Sequence, residues 1–381
     1  MPRDKKYISE VLLDLAALAA LEAGEAIMQI YRQKDFSVRL KADDSPVTEA
    51  DLKANAIISA ILYRSGLPVL SEEGRDIPFG ERKEWGLFWL VDPLDGTKEF
   101  VDHSGEFTVN IALVDRQMPV AGVVYDPVND FLYAGAVDHG AVKIPAASVM
   151  AADLASGHLS RLTSGPVTGL LCGEDDKADF QPGAGISPGE APGSDADSGS
   201  GSNSGSNNGN SSGPVTRPGA GDSTAPSPGP NSGLSSGLVG GLISGISPGM
   251  YPGHKVLPLS YSVGKGPGIA GSRSFMDDRT RLFIDRFRDL FPESRVIIRG
   301  SSLKLCMIAT GEADIYPRLS YISEWDTAAG HAIVLAAGGS VVQATDTSRP
   351  LVYNKQSPCN PWFIAFRDPG LLKSVTSLIP Q

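Results

Sequence analysis

Trp89-Leu90-Val91-Asp92-Pro93-Leu94-Asp95-Gly96-Thr97-Lys98-Glu99-Phe100 is the stretch whose reading decides the fold. An apolar strand ends abruptly in two aspartates separated by proline and leucine, and a glycine and a threonine follow. Pro93 fixes the backbone and Gly96 permits a sharp turn, so Asp92, the Leu94 carbonyl and Asp95 can converge on one point. Hard oxygen donors of that kind suit Mg²⁺. An isolated Asp-x-x-Asp more often only caps a turn. The weight of this one comes from acids at other element ends. Glu72 and Glu73 follow the short strand Val69-Leu70, Asp51 stands three residues after Thr48, and Asp326 immediately precedes a helical pattern. Taken singly, these too have plain structural readings: a solvated acidic loop, a capping box and an N-cap.

Outward from that stretch, two patterns follow one another. On the N-terminal side, apolar residues from Tyr7 to Tyr31 recur at spacings of three and four, the period of an amphipathic helix with an acidic outer face. Pro46 and Thr48 open a second helix with Ile57, Ile58, Ile61 and Leu62 as its buried stripe, closed by Gly66 and Pro68. Short strands are expected at Val69-Leu70, 87–91, 108–114, 121–125 and 131–136, the last three as an antiparallel meander. After His139 the pattern fades. Order resumes with a helix over 276–290, a strand over 296–299, a helix over 302–310 and a strand over 314–316. A helix over 327–337 and a strand over 340–343 complete this alternating α/β second half.

Between Gln181 and Met250, 43 of 70 residues are Gly, Ser or Pro, none is aromatic and five are charged. Such a segment has too little apolar side chain to offset the entropy of ordering it. The remaining 311 of 381 residues can support a sizeable core. The expected organisation is an N-terminal α+β half over 1–143, an irregular connection with a disordered insertion over 144–255, and a C-terminal α/β half over 256–381.

The whole chain carries a net charge of −11, and −8 without that segment, which argues against a nucleic-acid binder. Cys172, Cys306 and Cys359 are odd in number and widely spaced, which suits a reducing compartment and gives no zinc pattern. The apolar run Val11–Ala20 is too short to span a bilayer and is interrupted by Asp14, so a cytoplasmic soluble chain is expected.

With these acids in order, the chain resembles the lithium-sensitive, Mg²⁺-dependent phosphomonoesterases of the inositol monophosphatase superfamily. Three motifs carry the resemblance: Ser71-Glu72-Glu73, Asp92-Pro93-Leu94-Asp95-Gly96-Thr97 and Trp325-Asp326-Thr327-Ala328-Ala329-Gly330. Within the superfamily it is most similar to the 3'(2'),5'-bisphosphate nucleotidase branch. Asp-Ser-Pro-Val-Thr at 44–48, Thr97-Lys98-Glu99-Phe100, Gly105 to Asn110, Gly300-Ser301-Ser302-Leu303-Lys304 and Tyr316-Pro317-Arg318 support that.

The resemblance implies a layered α-β-α-β-α sandwich of the inositol monophosphatase and fructose bisphosphatase type. It implies that Glu72, Asp92, Asp95, Asp326 and the Leu94 carbonyl hold two to three Mg²⁺ ions. Asp51 and Thr97 then orient and deprotonate the attacking water. Gly96 and Thr97 N–H groups, with Glu72 and Asp326, contact the reacting phosphate. Ser301 and Lys304, at i and i+3 of a helix start, and Arg318 take a second phosphate. Glu73 has two equal readings, support of the acids or simple solvation. Gly271-Ser272-Arg273-Ser274 ends a segment resembling the lining of a nucleotide pocket, and His331 reads as a satisfied structural histidine.

The implied activity is hydrolysis of the 3'-phosphate of adenosine 3',5'-bisphosphate to AMP and phosphate, with the 3'-phosphate of the activated sulfate donor as a further substrate, in sulfur assimilation. The partner is a small nucleotide, with no nucleic-acid polymer and at most a peripheral position at the inner face of the cell membrane. The alternatives are an inositol monophosphatase or sugar (bis)phosphatase, and a non-catalytic metal- or nucleotide-binding scaffold.

Overall fold

The computed structural model describes residues 5–33, 37–41, 46–137, 139–156, 255–258, 266–274 and 276–380. All of them belong to one compact unit. The Gly/Ser/Pro-rich segment 181–250 and Cys172 lie outside the described residues.

Helix α1 (Lys5–Tyr31) is followed by a small hairpin, β1 (Val38–Leu40) with β2 (Pro46–Thr48), and by α2 (Glu49–Leu62). Thr48 caps α2 through a full capping box with Asp51, and Gly66 ends the following turn at φ +71°. Seven strands then form one sheet in the order β3-β4-β5-β6-β7-β8-β9. They are β3 (Val69–Ser71), β4 (Leu87–Asp95), β5 (Thr108–Asp115), β6 (Met118–Asp126), β7 (Phe131–Ala136), β8 (Gly140–Pro145) and β9 (Lys255–Leu257). Short helices α3 (Phe79–Arg82) and α4 (Thr97–Val101) flank β4, and α5 (Ala146–Ser156) follows β8.

The second sheet runs β11-β10-β12-β16-β14. Its strands are β10 (Gly268–Ser272), β11 (Arg295–Arg299), β12 (Ile315–Arg318), β14 (Ser340–Gln343) and β16 (Phe363–Phe366). The helices between them are α6 (Asp278–Leu290), α7 (Leu303–Thr310) and α8 (Trp325–Ala336), with α9 (Leu372–Val375) near the C-terminus and a ribbon of β13 (Ile322–Ser323) with β15 (Cys359–Asn360).

Strand alternation turns these elements into five layers. Trp89, Val91, Ile111, Leu113 and Val123 face α1 and α2 in one core. Their neighbours Phe88, Leu90, Ala112, Val114 and Val124 face the other way, into a second core with α7, α8 and the second sheet. Ile269, Ile315, Ile364 and Phe366 leave that sheet on its far side and meet Phe283, Ile284 and Phe287 of α6. Each such fully buried side chain contributes about 1.5–3 kcal/mol. The expected α-β-α-β-α sandwich is therefore the observed fold. One close approach between its layers is at Gly122 of β6, where an added Cβ would lie 2.3 Å from the Ala329 carbonyl of α8. That glycine lets the helix carrying Asp326 rest directly on the sheet carrying Asp92.

The acidic outer face expected for α1 holds for Glu22 and Glu25, but Asp14 is buried. Order also persists beyond His139, through β8 and α5. The six-residue strand β8 lies between β7 and β9, and β9 comes from far along the chain, so no local pattern marks the pair. No helix among the described residues is long and apolar enough to cross a membrane.

Candidate active site

Strand β4 delivers the first two carboxylates. Its register with β5 shifts between Asp92, opposite Asn110, and Asp95, opposite Thr108, so one residue more is used on β4 than on β5. The bulge carries Pro93 and Leu94, and the Leu94 N–H donates to Asp92 Oδ1 at 3.1 Å. Gly96 follows at φ +94°, in the left-handed region that favours glycine, with a Cβ position only 3.0 Å from the Glu106 carbonyl.

Glu72 arrives from the end of β3, its N–H bonded to the Val91 carbonyl at 3.1 Å. Asp326 arrives in the first turn of α8. Carboxylate oxygens of Glu72, Asp92 and Asp326 lie within 4.8 Å of one another. Asp95 lines the same pocket but is not part of that trio; its Oδ2 accepts from Ser302 N–H at 2.6 Å.

The electrostatics follow from this crowding. Burial, then the charges of Glu72, Asp95, Asp326 and Asp51, push Asp92 well above the usual carboxylate range. Burial and the charges of Asp95 and Glu72 do the same to Asp326. Glu72 is raised by burial against the pull of Lys41. Asp95 is raised by burial although Lys304, Ser302 and Asn110 favour its ionised form. A set of oxygen donors, with no nitrogen or sulfur among them, in a nest where negative charge is disfavoured, fits a hard divalent cation such as Mg²⁺.

Asp51 serves two partners. Its Oδ2 accepts from the Thr48 N–H at 2.8 Å and the Thr48 hydroxyl at 2.5 Å, completing the helix cap. Its Oδ1 lies 3.1 Å from Thr97 Oγ1, which is also 3.3 Å from the Leu94 carbonyl. The structural reading of Asp51 and its pairing with Thr97 therefore hold together. Burial raises the Asp51 pKa against its hydrogen bonds from Thr48 and Thr97.

The opposite side of the pocket is basic. Lys304 and Arg318 are 6% and 5% exposed, not surface cations. Lys304 Nζ donates to the Ser301 carbonyl at 2.6 Å, and burial lowers its pKa to about 8 against the attraction of Asp95. Arg318 Nη2 lies 3.4 Å from the Tyr321 carbonyl. Ser301 and Lys304 do not share a helix face as expected. Helix α7 begins at Leu303, and Ser301 stands before it at φ +44°. The turn, not the helix, brings the Ser301 carbonyl to Lys304.

Glu72, Asp92, Asp95, Thr97, Ser301, Lys304, Arg318 and Asp326 line one pocket of about 320 Å³, and Asp51 stands behind Thr97. Ser272 lines it as expected; Arg273 pairs with Glu106 and Ser274 with Glu99 beside it. Glu73 is not solvated: Lys41 Nζ bridges it at 2.5 Å and Glu72 at 2.8 Å. His331 is fully buried, with Nδ1 2.9 Å from the Tyr353 hydroxyl, but Nε2 has no partner, so it is only half satisfied. Burial lowers its pKa to about 3.

Sequence reasoning missed Lys41 and Glu324. Lys41 sits next to a three-residue strand whose cross-strand pairing cannot be seen locally. Glu324 is fully buried and accepts from the Asn354 and Lys355 N–H groups, fixing the chain just before Asp326. The one available signal was an acid inside the apolar frame around Trp325.

Known proteins sharpen the picture. The model of the inositol monophosphatase family matches residues 9–161 and 269–363. The 3'(2'),5'-bisphosphate nucleotidase CysQ of Escherichia coli K12 is 31% identical over 357 residues, covering 92% of this chain and 98% of the relative. The crystal structure of CysQ from Bacteroides thetaiotaomicron, described as a bacterial member of the inositol monophosphatase family, is 33% identical, with a TM-score of 0.63 over 94% of this chain and 97% of that one. The Thermotoga maritima IMPase, 18% identical, superposes with a TM-score of 0.56 over 96% of each chain and so shares the fold.

Proposed function

The chain belongs to the inositol monophosphatase family, and from that premise we propose that it is a Mg²⁺-dependent phosphomonoesterase that removes the 3'-phosphate of adenosine 3',5'-bisphosphate, giving AMP and phosphate. One observation carries the reading beyond the family. The Glu72-Asp92-Asp326 cluster and the buried pair Lys304 and Arg318 line a single pocket, so a ligand with two anionic groups meets a different device at each end. The name of the Escherichia coli relative, a 3'(2'),5'-bisphosphate nucleotidase, supports the same substrate class.

Glu72, Asp92, the Leu94 carbonyl, Asp95 and Asp326 would hold two to three Mg²⁺ ions, consistent with their all-oxygen donor set. Bound there, the metal supplies positive charge for the phosphoryl oxygens and lowers the pKa of water in the site. The chain's own groups do the rest. Thr97 Oγ1, in reach of Asp51 Oδ1, orients the attacking water and passes its proton to that carboxylate. Burial makes Asp51 more basic than an exposed aspartate, which suits this task. The N–H groups of Gly96 and Thr97, at the start of α4, contact the phosphate being removed. Ser301, Lys304 and Arg318 hold the other phosphate. Direct attack by water leaves no phosphorylated residue.

On this reading the activated sulfate donor is a second substrate, lithium inhibits, and the enzyme serves sulfur assimilation in the cytoplasm, at most peripheral to the membrane. The test is phosphate release with Mg²⁺ from adenosine 3',5'-bisphosphate, inositol 1-phosphate and fructose 1,6-bisphosphate. The expected order places the nucleotide first. Preference for either sugar substrate, or a phosphorylated residue trapped during turnover, overturns the proposal.

A further inference from the structure

We infer that Ser302, backed by Asn110, is a positioning residue that holds Asp95 in the one arrangement in which it can serve as a cation ligand; this rests on the reading of Asp95 given above. Asp95 Oδ2 lies within hydrogen-bond reach of three donors, the Ser302 N–H at 2.6 Å, the Ser302 hydroxyl at 2.7 Å and Asn110 Nδ2 at 3.2 Å. Asn110 Nδ2 also donates to Ser302 Oγ at 2.8 Å. The Asn110 side-chain oxygen Oδ1 itself accepts from the Thr108 hydroxyl at 3.0 Å. Thr108, Asn110 and Ser302 are 0%, 1% and 3% exposed, so bulk water cannot replace these bonds.

Two features separate this from ordinary packing. Ser302 is the N-cap residue of α7, where a serine hydroxyl normally accepts from the helix N–H groups, yet its side chain makes no cap bond. The hydroxyl instead stands between Asp95 and the Asp326 carbonyl, 2.7 Å from each. With one proton it donates to one of them at a time while accepting from Asn110. The ends of β4 and α8, which carry candidate ligands from opposite halves of the chain, thus meet at a single oxygen.

The preceding residue, Ser301, is held at φ +44°, a conformation that costs an L residue energy unless its surroundings fix it. They do. Gly300 N–H is bound by Glu106 Oε2 at 2.7 Å on one side of the turn, and Ser302 N–H by Asp95 on the other. The consequence for Asp95 is specific. Oδ2 is committed to protein donors, which leaves Oδ1 for a cation and keeps the carboxylate from rotating. Partners of this kind typically change metal affinity by about 10–100-fold when removed.

The test is calorimetric titration of Mg²⁺ into metal-stripped full-length protein, with thermal melts and kinetics on the same samples. Ser302→Ala is expected to weaken Mg²⁺ binding by about 10–100-fold. At saturating Mg²⁺ its KM for adenosine 3',5'-bisphosphate should move less than about threefold, because uniform substrate binding is untouched. Ser302→Thr keeps the hydroxyl and should bind Mg²⁺ within about threefold of the parent. If Ser302→Ala does not fold, Ser302→Cys, nearly isosteric with a weaker donor, takes its place with an intermediate loss expected. Unchanged Mg²⁺ affinity in a folded Ser302→Ala or Ser302→Cys protein, or equal losses in the alanine and threonine variants, overturns the inference. Asp95→Asn separates it from the reading on which it rests: if that variant binds Mg²⁺ like the parent, Asp95 is no ligand. If Asp95→Asn weakens binding and Ser302→Ala does not, only the positioning role fails.

Discussion

The two sides of the pocket are built on opposite principles. On the acidic side, Glu72, Asp92, Asp95 and Asp326 come from the ends of two strands and the first turn of a helix, and every one has its pKa pushed up by burial. On the basic side, Lys304 and Arg318 are as deeply buried but rest on carbonyl oxygens of their own loops. Burial disfavours the charged form on both sides, lowering Lys304 as it raises the acids; the difference is that the carboxylates crowd one another while Lys304 and Arg318 have carbonyl acceptors. An acidic protein can hold a compound with two phosphate groups by combining both, with dissolved cations at one end and its own at the other.

The sharpest way to break that contrast is Asp92→Asn. Phosphate release should fall by more than about a thousandfold, beyond the 10²–10³ typical of losing one electrostatic donor. The metal-free variant should nevertheless melt at a higher temperature than the metal-free parent, because a buried carboxylate repelled by its neighbours has been neutralised. A lower melting temperature would mean that the acidic side is not under repulsive load. Thr97→Ala comes next, with kcat expected to fall by roughly 10²-fold, the scale of general-base assistance, and with KM little changed. An effect on KM alone would move Thr97 out of the proton path.

Lys304→Met tests the basic side. It should raise KM for adenosine 3',5'-bisphosphate by about 10–100-fold, the scale of a lost charge-assisted hydrogen bond, while hydrolysis of a nucleoside monophosphate changes far less. The sign of its pH dependence is fixed by the lowered pKa. Lys304 is charged below about pH 8, so kcat/KM for the bisphosphate should fall as pH rises through that value in the parent. The methionine variant should lack this inflection. Retention of the inflection would assign it to another group.

The contrast also explains what the sequence disclosed. The acidic side was legible because its residues sit in short motifs at element ends, where Asp92-Pro93-Leu94-Asp95-Gly96 encodes a strand, a bulge and a left-handed glycine together. The two long helices and the meander were legible through their periods. The basic side is less legible: resemblance singles out Lys304 and Arg318, but no local pattern signals their burial. The turn at Ser301 passes for a helix start in the sequence because a left-handed serine leaves no compositional trace. Lys41, Glu324 and strand β9 depend on pairings across 31, 30 and more than a hundred residues, and no local pattern carries such information.

The smallest effect is expected where the sequence between the two sides is longest. Strand β9 pairs with β8, Lys255 opposite Lys143, and α5 follows β8 directly and packs on it. The strands before and after the connection, β8 and β9, are thus neighbours at one edge of the seven-stranded sheet. Over 181–250, 43 of 70 residues are Gly, Ser or Pro and none is aromatic, which leaves little apolar side chain with which to form a core. We propose that Gln181–Met250 is dispensable for the apposition of the two sides, and that a short Gly/Ser link in its place leaves kcat, KM and Mg²⁺ affinity essentially unchanged. Shortening the connection to about a third should even stabilise the protein slightly, by about 1 kcal/mol from the logarithmic cost of loop closure. Denaturant melts and phosphate release on the shortened chain check both points. A large loss of stability would mean that the segment packs on the core. A loss of activity with stability intact would mean that it acts on one side of the pocket, and the change in KM or in Mg²⁺ dependence would say which.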